Sequence, residues 1–181
     1  MLFQVLALLA ALIVASLGDA QSDLTAAVSA NDPALLSAAL AAGADINRPG
    51  SGGQTPLMQA SLGGQAQSVA YLLSQGADPT LGEKDGYTPL HGAAFQGRAE
   101  AARLLLNDAR VPNVAHADGF FAVHRACWGR EQRHTDTVRV FLESGEYQRK
   151  TADGKSLLDV AGSNKRTQEL LKDWGSAAEE L

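Results

Sequence analysis

The sequence predicts a mainly α protein, a solenoid of stacked helix-turn-helix units. Three recurrences predict it. The tetrapeptide Thr55-Pro56-Leu57-Met58 returns as Thr88-Pro89-Leu90-His91 after 33 residues, and Phe121-Ala122-Val123-His124 follows 33 later in degraded form. Gly43-Ala44-Asp45-Ile46-Asn47 returns as Gly76-Ala77-Asp78-Pro79-Thr80, again offset by 33. The apolar pairs Ala39-Leu40, Leu72-Leu73 and Leu105-Leu106 keep that step, while Phe141-Leu142 arrives three residues late. A unit this short cannot bury both faces of its helices alone, so neighbours have to stack.

Taken in order, residues 1–20 read as a signal peptide. Leu2 to Leu17 are apolar except for Gln4 and Ser16, with no Lys or Arg. The run is shorter than the ~20 residues of a membrane span and suits the ~7–15-residue apolar stretch of a secretory leader. Gly18 and Ala20 fit cleavage before Gln21, and Ser16 and Gly18 fit a cut before Asp19. An uncleaved anchor over residues 2–17 and a buried N-terminal helix are the two alternatives. Residues 21–181 then form one repeat domain with units at about 22–49, 50–82, 83–115, 116–150 and 151–181.

Each part of a unit has a physical reason. Thr88 suits a helix cap, and Pro89 suits the first turn, where a backbone N–H has no partner to lose. Leu90, Ala93 and Ala94 share one face of that helix. Gly97 lets the chain turn into a second apolar helix through Ala101, Ala102 and Leu104 to Leu106, and Gly76 is placed to end such a helix in a left-handed conformation. Ser22 and Ser156 take the Thr position in the end units and are expected to cap there. The three extra residues of the fourth unit fall between Gly129 and His134 and are expected to lengthen the turn between its helices. In the last helix Leu170, Leu171 and Trp174 should face inward, with Glu169, Lys172 and Asp173 outward.

The period and the tetrapeptides resemble the ankyrin repeat family over about residues 22–181. Thr88-Pro89-Leu90-His91, followed by Ala93-Ala94 and Gly97, carries the resemblance best. The fourth unit departs from it, lacking both Thr and Pro. The resemblance implies that His91 and His124 hydrogen-bond locally to brace the turns between repeats. It also implies β-hairpin-like loops joining the helix-turn-helix units, and a protein-binding scaffold.

Several function classes find no support. One cysteine, Cys127, cannot make an internal disulfide or a multi-cysteine zinc site. It aligns with the inward Ala94 and reads as a buried, inert thiol. His124, Cys127 and His134 match no standard metal-ligand spacing, so no metal or other cofactor is expected. No nucleophile stands with the histidines at a catalytic motif, and no phosphate-binding glycine loop is present. Asp45, Asp78, Asp118 and Asp153 recur at turns, where Asp bonds its own backbone. A pI near 5.3 opposes nucleic-acid binding. The expectation is a monomeric, non-enzymatic module that binds a protein of unstated identity. Its compartment would be extracellular, periplasmic or the lumen of the endoplasmic reticulum. A membrane enters only if residues 2–17 are retained, and an inhibitor of a partner enzyme would use the same surface.

Two columns escape the structural pattern. Just before the Thr position stand Gln54, Tyr87, Phe120 and Lys155, and two residues after the recurrent alanine stand Leu62, Phe95 and Trp128. In ankyrin arrays such positions resemble the variable ones, at the hairpin bases and on the concave helix face. Tyr87, Phe95, Phe120 and Trp128 are therefore the candidate anchors, with Arg125 and Lys84 as polar rim. The alternative is that the four aromatics pack between repeats to compensate for an alanine-rich core. Charge is uneven as well: residues 1–97 carry two basic side chains against seven acidic ones. Arg125, Arg130, Arg133, His134 and Arg139 gather in the fourth unit, suited either to an acidic partner or to a solvated face balanced by Glu131 and Asp136.

Overall fold

A computed structural model describes residues 20–50, 52–83 and 86–179. The leader expected over residues 1–20 thus lies outside the described residues except for Ala20, and Lys84 lies outside them altogether. Among the described residues ten α-helices follow in order: α1 (residues 20–30), α2 (Pro33–Ala41), α3 (Pro56–Gly63), α4 (Ala66–Ser74), α5 (Pro89–Phe95), α6 (Ala99–Leu106), α7 (Ala122–Trp128), α8 (Gln132–Glu143), α9 (Leu157–Ala161) and α10 (Lys165–Glu179). Helices α3, α5, α7 and α9 pack side by side in one layer, and α2, α4, α6, α8 and α10 in the other. Among the described residues no helix is long and apolar enough to cross a membrane.

The core is the one the periodicity marks. Leu57, Leu90 and Val123 are buried in successive units, as are Ala60, Ala93 and Ala126. Small side chains let the helices of one layer approach closely. A methyl group at Gly92 would sit 3.1 Å from Leu62 and 3.2 Å from Met58 of α3, tighter than ordinary packing. Cys127 is fully buried beside these residues, and burial pushes its thiol up to about 12.

Thr55 caps α3, its hydroxyl accepting from the Met58 amide at 3.2 Å. Thr88 starts α5, but its hydroxyl meets His91 Nδ1 at 2.8 Å in place of a backbone amide. His124 does the equivalent work in the degraded unit, its Nδ1 accepting from the Phe121 amide at 3.1 Å. Both histidines brace their turns as the family resemblance implies. Ser156 caps α9, accepting from the Asp159 amide at 3.2 Å. Ser22 does not cap, because helix α1 already includes Ala20 and Gln21, which puts Ser22 inside it.

The interhelical loops form no strands among the described residues. What recurs is a single tight turn. The amides of Gly50, Glu83, His116 and Thr151 donate to the carbonyls of Gln54, Tyr87, Phe120 and Lys155 at 2.9–3.0 Å. Gly53, Gly86, Gly119 and Gly154 stand inside these turns at φ of +76° to +84°, a conformation that only glycine adopts without strain. One hydrogen-bonded rung is too little for a ladder, so the hairpin-like expectation is met only as a turn.

The extra residues of the fourth unit do not lengthen its turn. Helix α8 begins 33 residues after the start of α6 but runs for 12 residues, where α6 has 8. Three residues nearly complete one helical turn. The buried face is therefore kept: Thr137, Val138, Phe141 and Leu142 take the places of Ala101, Ala102, Leu105 and Leu106. The added turn buries His134 and Thr135. His134 Nε2 lies 3.2 Å from the Phe95 carbonyl, and Thr135 meets Thr167 of α10 at 2.9 Å. Helix α10 closes the stack as expected, with Leu170 and Leu171 buried and Glu169, Lys172 and Asp173 exposed.

Candidate partner-binding surface

The turns before α5 and α7 and the ends of those helices bring the candidate residues together. Arg125, in the middle of α7, is the centre and not the rim: it is only 6% exposed. Its position is that of Gly92 one unit earlier, an inward one. A buried guanidinium needs both a counter-ion and weakly hydrated neighbours, and Arg125 has both. Its Nη2 donates to Asp118 in the turn before α7 and lies 3.3 Å from His116 Nδ1. Its guanidinium carbon sits 4.5 Å from the ring centre of Trp128, 5.5 Å from that of Phe120 and 5.6 Å from that of Tyr87. These are cation–π distances.

The rings also contact one another. Phe120 packs on Trp128 with ring centres 5.0 Å apart, and Tyr87 meets His91 at 5.4 Å and His116 at 5.7 Å. Burial disfavours the charge on Asp118. Hydrogen bonds from Arg125, His116 and the Phe120 amide, with the Arg125 charge, outweigh burial and hold its carboxyl at about 2. Burial pushes the Tyr87 phenol up to about 12, so it is a neutral hydroxyl at pH 7.

Beside this cluster lies an open groove of about 500 Å³ that spans three units. Leu62 of α3, Tyr87 of the turn before α5 and Phe95 of α5 supply its apolar lining, and Gln54, Glu83, His116 and Arg125 its polar lining. Phe95 is 47% exposed and Trp128 40% exposed, large fractions for such side chains. Gln54 Nε2 donates to Glu83 Oε1 at 2.7 Å, fixing that carboxylate at the groove. Among the described residues, no group of three His, Cys, Asp or Glu is placed to hold a metal ion.

A family model described as ankyrin repeats (3 copies) matches residues 24–115, just over half of the chain. The chain belongs to the ankyrin repeat family. No curated protein matched it. Ankyrin arrays are protein–protein interaction modules and typically non-enzymatic scaffolds, and the partners of this array are accordingly proteins.

Of the sequence-selected residues, Tyr87, Phe95 and Arg125 line the groove together. Phe120 and Trp128 stand against Arg125 outside the groove lining, Phe120 half-buried and Trp128 exposed. The four aromatics are thus neither all anchors nor all packing. Sequence reasoning missed His116 and Asp118 as a pair around Arg125. The available signal was Arg125 itself, a cation at an inward position, which demands an acid within reach. The wider basic cluster is a solvated face in part: Arg133 pairs with Glu131 at 2.9 Å, and Arg130 and Arg139 are exposed.

Proposed function

We propose that the chain is an exported, non-catalytic module that captures a partner protein in the groove formed by the turns before α3, α5 and α7, the ends of α3 and α5 and the middle of α7. The observation that carries this reading is the buried Arg125, gripped by Asp118 and three aromatic rings, next to the exposed Phe95. Such an arrangement is rigid before any partner arrives, so little side-chain entropy is lost on docking. Exposed aromatics beside it are the usual anchors of interfaces. Export rests on the apolar leader over residues 2–17 and the small residues Gly18 and Ala20.

One experiment tests both halves. The tagged chain is recovered from its native host, its intact mass is read, and co-purifying proteins are compared for the wild type, Phe95→Ala and Trp128→Ala. Export predicts a mass beginning at Gln21 or Asp19, whereas Met1 in the membrane fraction would indicate a tethered adaptor. A partner lost in Phe95→Ala at unchanged melting temperature, and held more weakly by Trp128→Ala, which also loosens Arg125, supports the groove. A lowered melting temperature with the partner retained refutes it.

A further inference from the structure

We infer that the groove selects a basic side chain, a Lys or Arg presented by a peptide segment of the partner and flanked by an apolar residue. This deepens the proposed function and rests on it. The groove is lined by one cation and one anion, Arg125 and Glu83. The charge of Arg125 is already taken up by Asp118, which its Nη2 contacts. Glu83 is different: the group that meets it among the described residues is a neutral amide, that of Gln54. The charge on offer to an incoming group is therefore negative.

The apolar lining suits the rest of such a side chain. Lys and Arg have long methylene stems that lie along apolar surface while the head reaches a charge, and Leu62 and Phe95 supply that surface beside Glu83. The exposed Phe95 face also attracts a cation directly. A second observation lies within the protein: it already holds one guanidinium against Tyr87, Phe120 and an acid, so the same chemistry is repeated one step toward solvent. An acidic partner, by contrast, would set its carboxylate against Glu83 with Arg125 already neutralised.

The test is selection from a phage-displayed random dodecapeptide library on the full chain, followed by fluorescence anisotropy with fluorescein-labelled copies of the selected peptides. The inference expects selected sequences to share a Lys or Arg next to an apolar residue. Replacing that residue with norleucine should weaken binding by about tenfold at moderate salt. Glu83→Gln should weaken the parent peptide by a similar factor and erase its advantage over the norleucine form. Circular dichroism melts confirm that each variant is folded. Phe95→Ala should abolish binding of both peptides. If peptides bind in a Phe95-dependent way but the basic residue is dispensable or an acid is selected, the inference falls and the groove survives. If no selected peptide depends on Phe95, or none is selected, both fall.

Discussion

The two tetrapeptide histidines make folding stability depend on pH between 7.5 and 5. His91 is 1% exposed and His124 is fully buried. Burial, with the Arg125 charge adding to it, pushes His91 down to about 4 against the opposing pull of the Phe120 backbone. Burial likewise pushes His124 down to about 4, with the Arg149 backbone opposing. An unfolded histidine titrates near 6.5. Between those values the unfolded chain binds protons that the folded chain refuses, so stability falls as pH falls through 6.5. At pH 5 the linkage relation gives about 2 kcal/mol lost per histidine. His91→Gln removes one titrating group while keeping a polar side chain beside Thr88. It should cost about 1 kcal/mol at pH 7.5 by weakening the 2.8 Å contact with the Thr88 hydroxyl. Between pH 7.5 and 5 it should then lose about 2 kcal/mol less than the wild type. The two proteins thus cross near pH 6, and at pH 5 the variant is the more stable by about 1 kcal/mol. Urea unfolding followed by circular dichroism at both pH values measures this difference of differences, in which the carboxylates common to both proteins cancel. Equal losses in wild type and variant would refute the account, because His91 would then be titrating in the folded state as it does in the unfolded one.

Further outcomes follow from the same geometry. Arg125→Lys should lower stability by about 1–3 kcal/mol although the charge is kept, because an ammonium cannot lie flat among three rings as a guanidinium does. Thermal melts report this as a drop of roughly 2–4 °C per kcal/mol in a chain of this size. Gly119→Ala should destabilise more than Gly145→Ala. Both positions have positive φ, +83° and +87°, but a methyl at Gly119 would lie 2.6 Å from the Ala152 methyl while Gly145 has open space. Both variants carry the left-handed cost of about 1 kcal/mol, so the difference in their urea midpoints isolates the contact between adjacent turns. Cys127 should resist a thiol reagent at pH 7.5 and react fully in denaturant, since its thiol is buried and titrates at about 12. Rapid labelling of the native protein would show that α7 opens locally.

The stacking was legible in the sequence because it rests on repetition. Leu57, Leu90 and Val123 occupy one buried position at a constant step, and the step itself says that each unit packs on the next. Elements that depend on a single occurrence were not legible in that way. The three added residues near Gly129 look like a longer loop when only the late Phe141-Leu142 pair is aligned. They enter α8 because three residues almost close a helical turn and so preserve the inward face. Ser22 matched the capping position in register, but a cap must be the last non-helical residue. Helix α1 covers Ala20 and Gln21, so Ser22 cannot be one.

The candidate site divides along the same line. The columns of Tyr87 with Phe120 and of Phe95 with Trp128 are periodic, and they locate the surface. Arg125 was misjudged because charge argued for the rim while register argued for the interior. Register prevailed because the turn before α7 places Asp118 where it can neutralise the guanidinium, and three rings replace the water it gives up. That compensation involves residues from two units, and neither period nor composition specifies it. An ion pair that buries its guanidinium while its carboxylate stays exposed adds little to stability compared with an apolar core of equal volume. Its cost is understandable if the guanidinium holds Tyr87 and Trp128 in one arrangement, so that a partner meets a preorganised surface and not a set of free side chains.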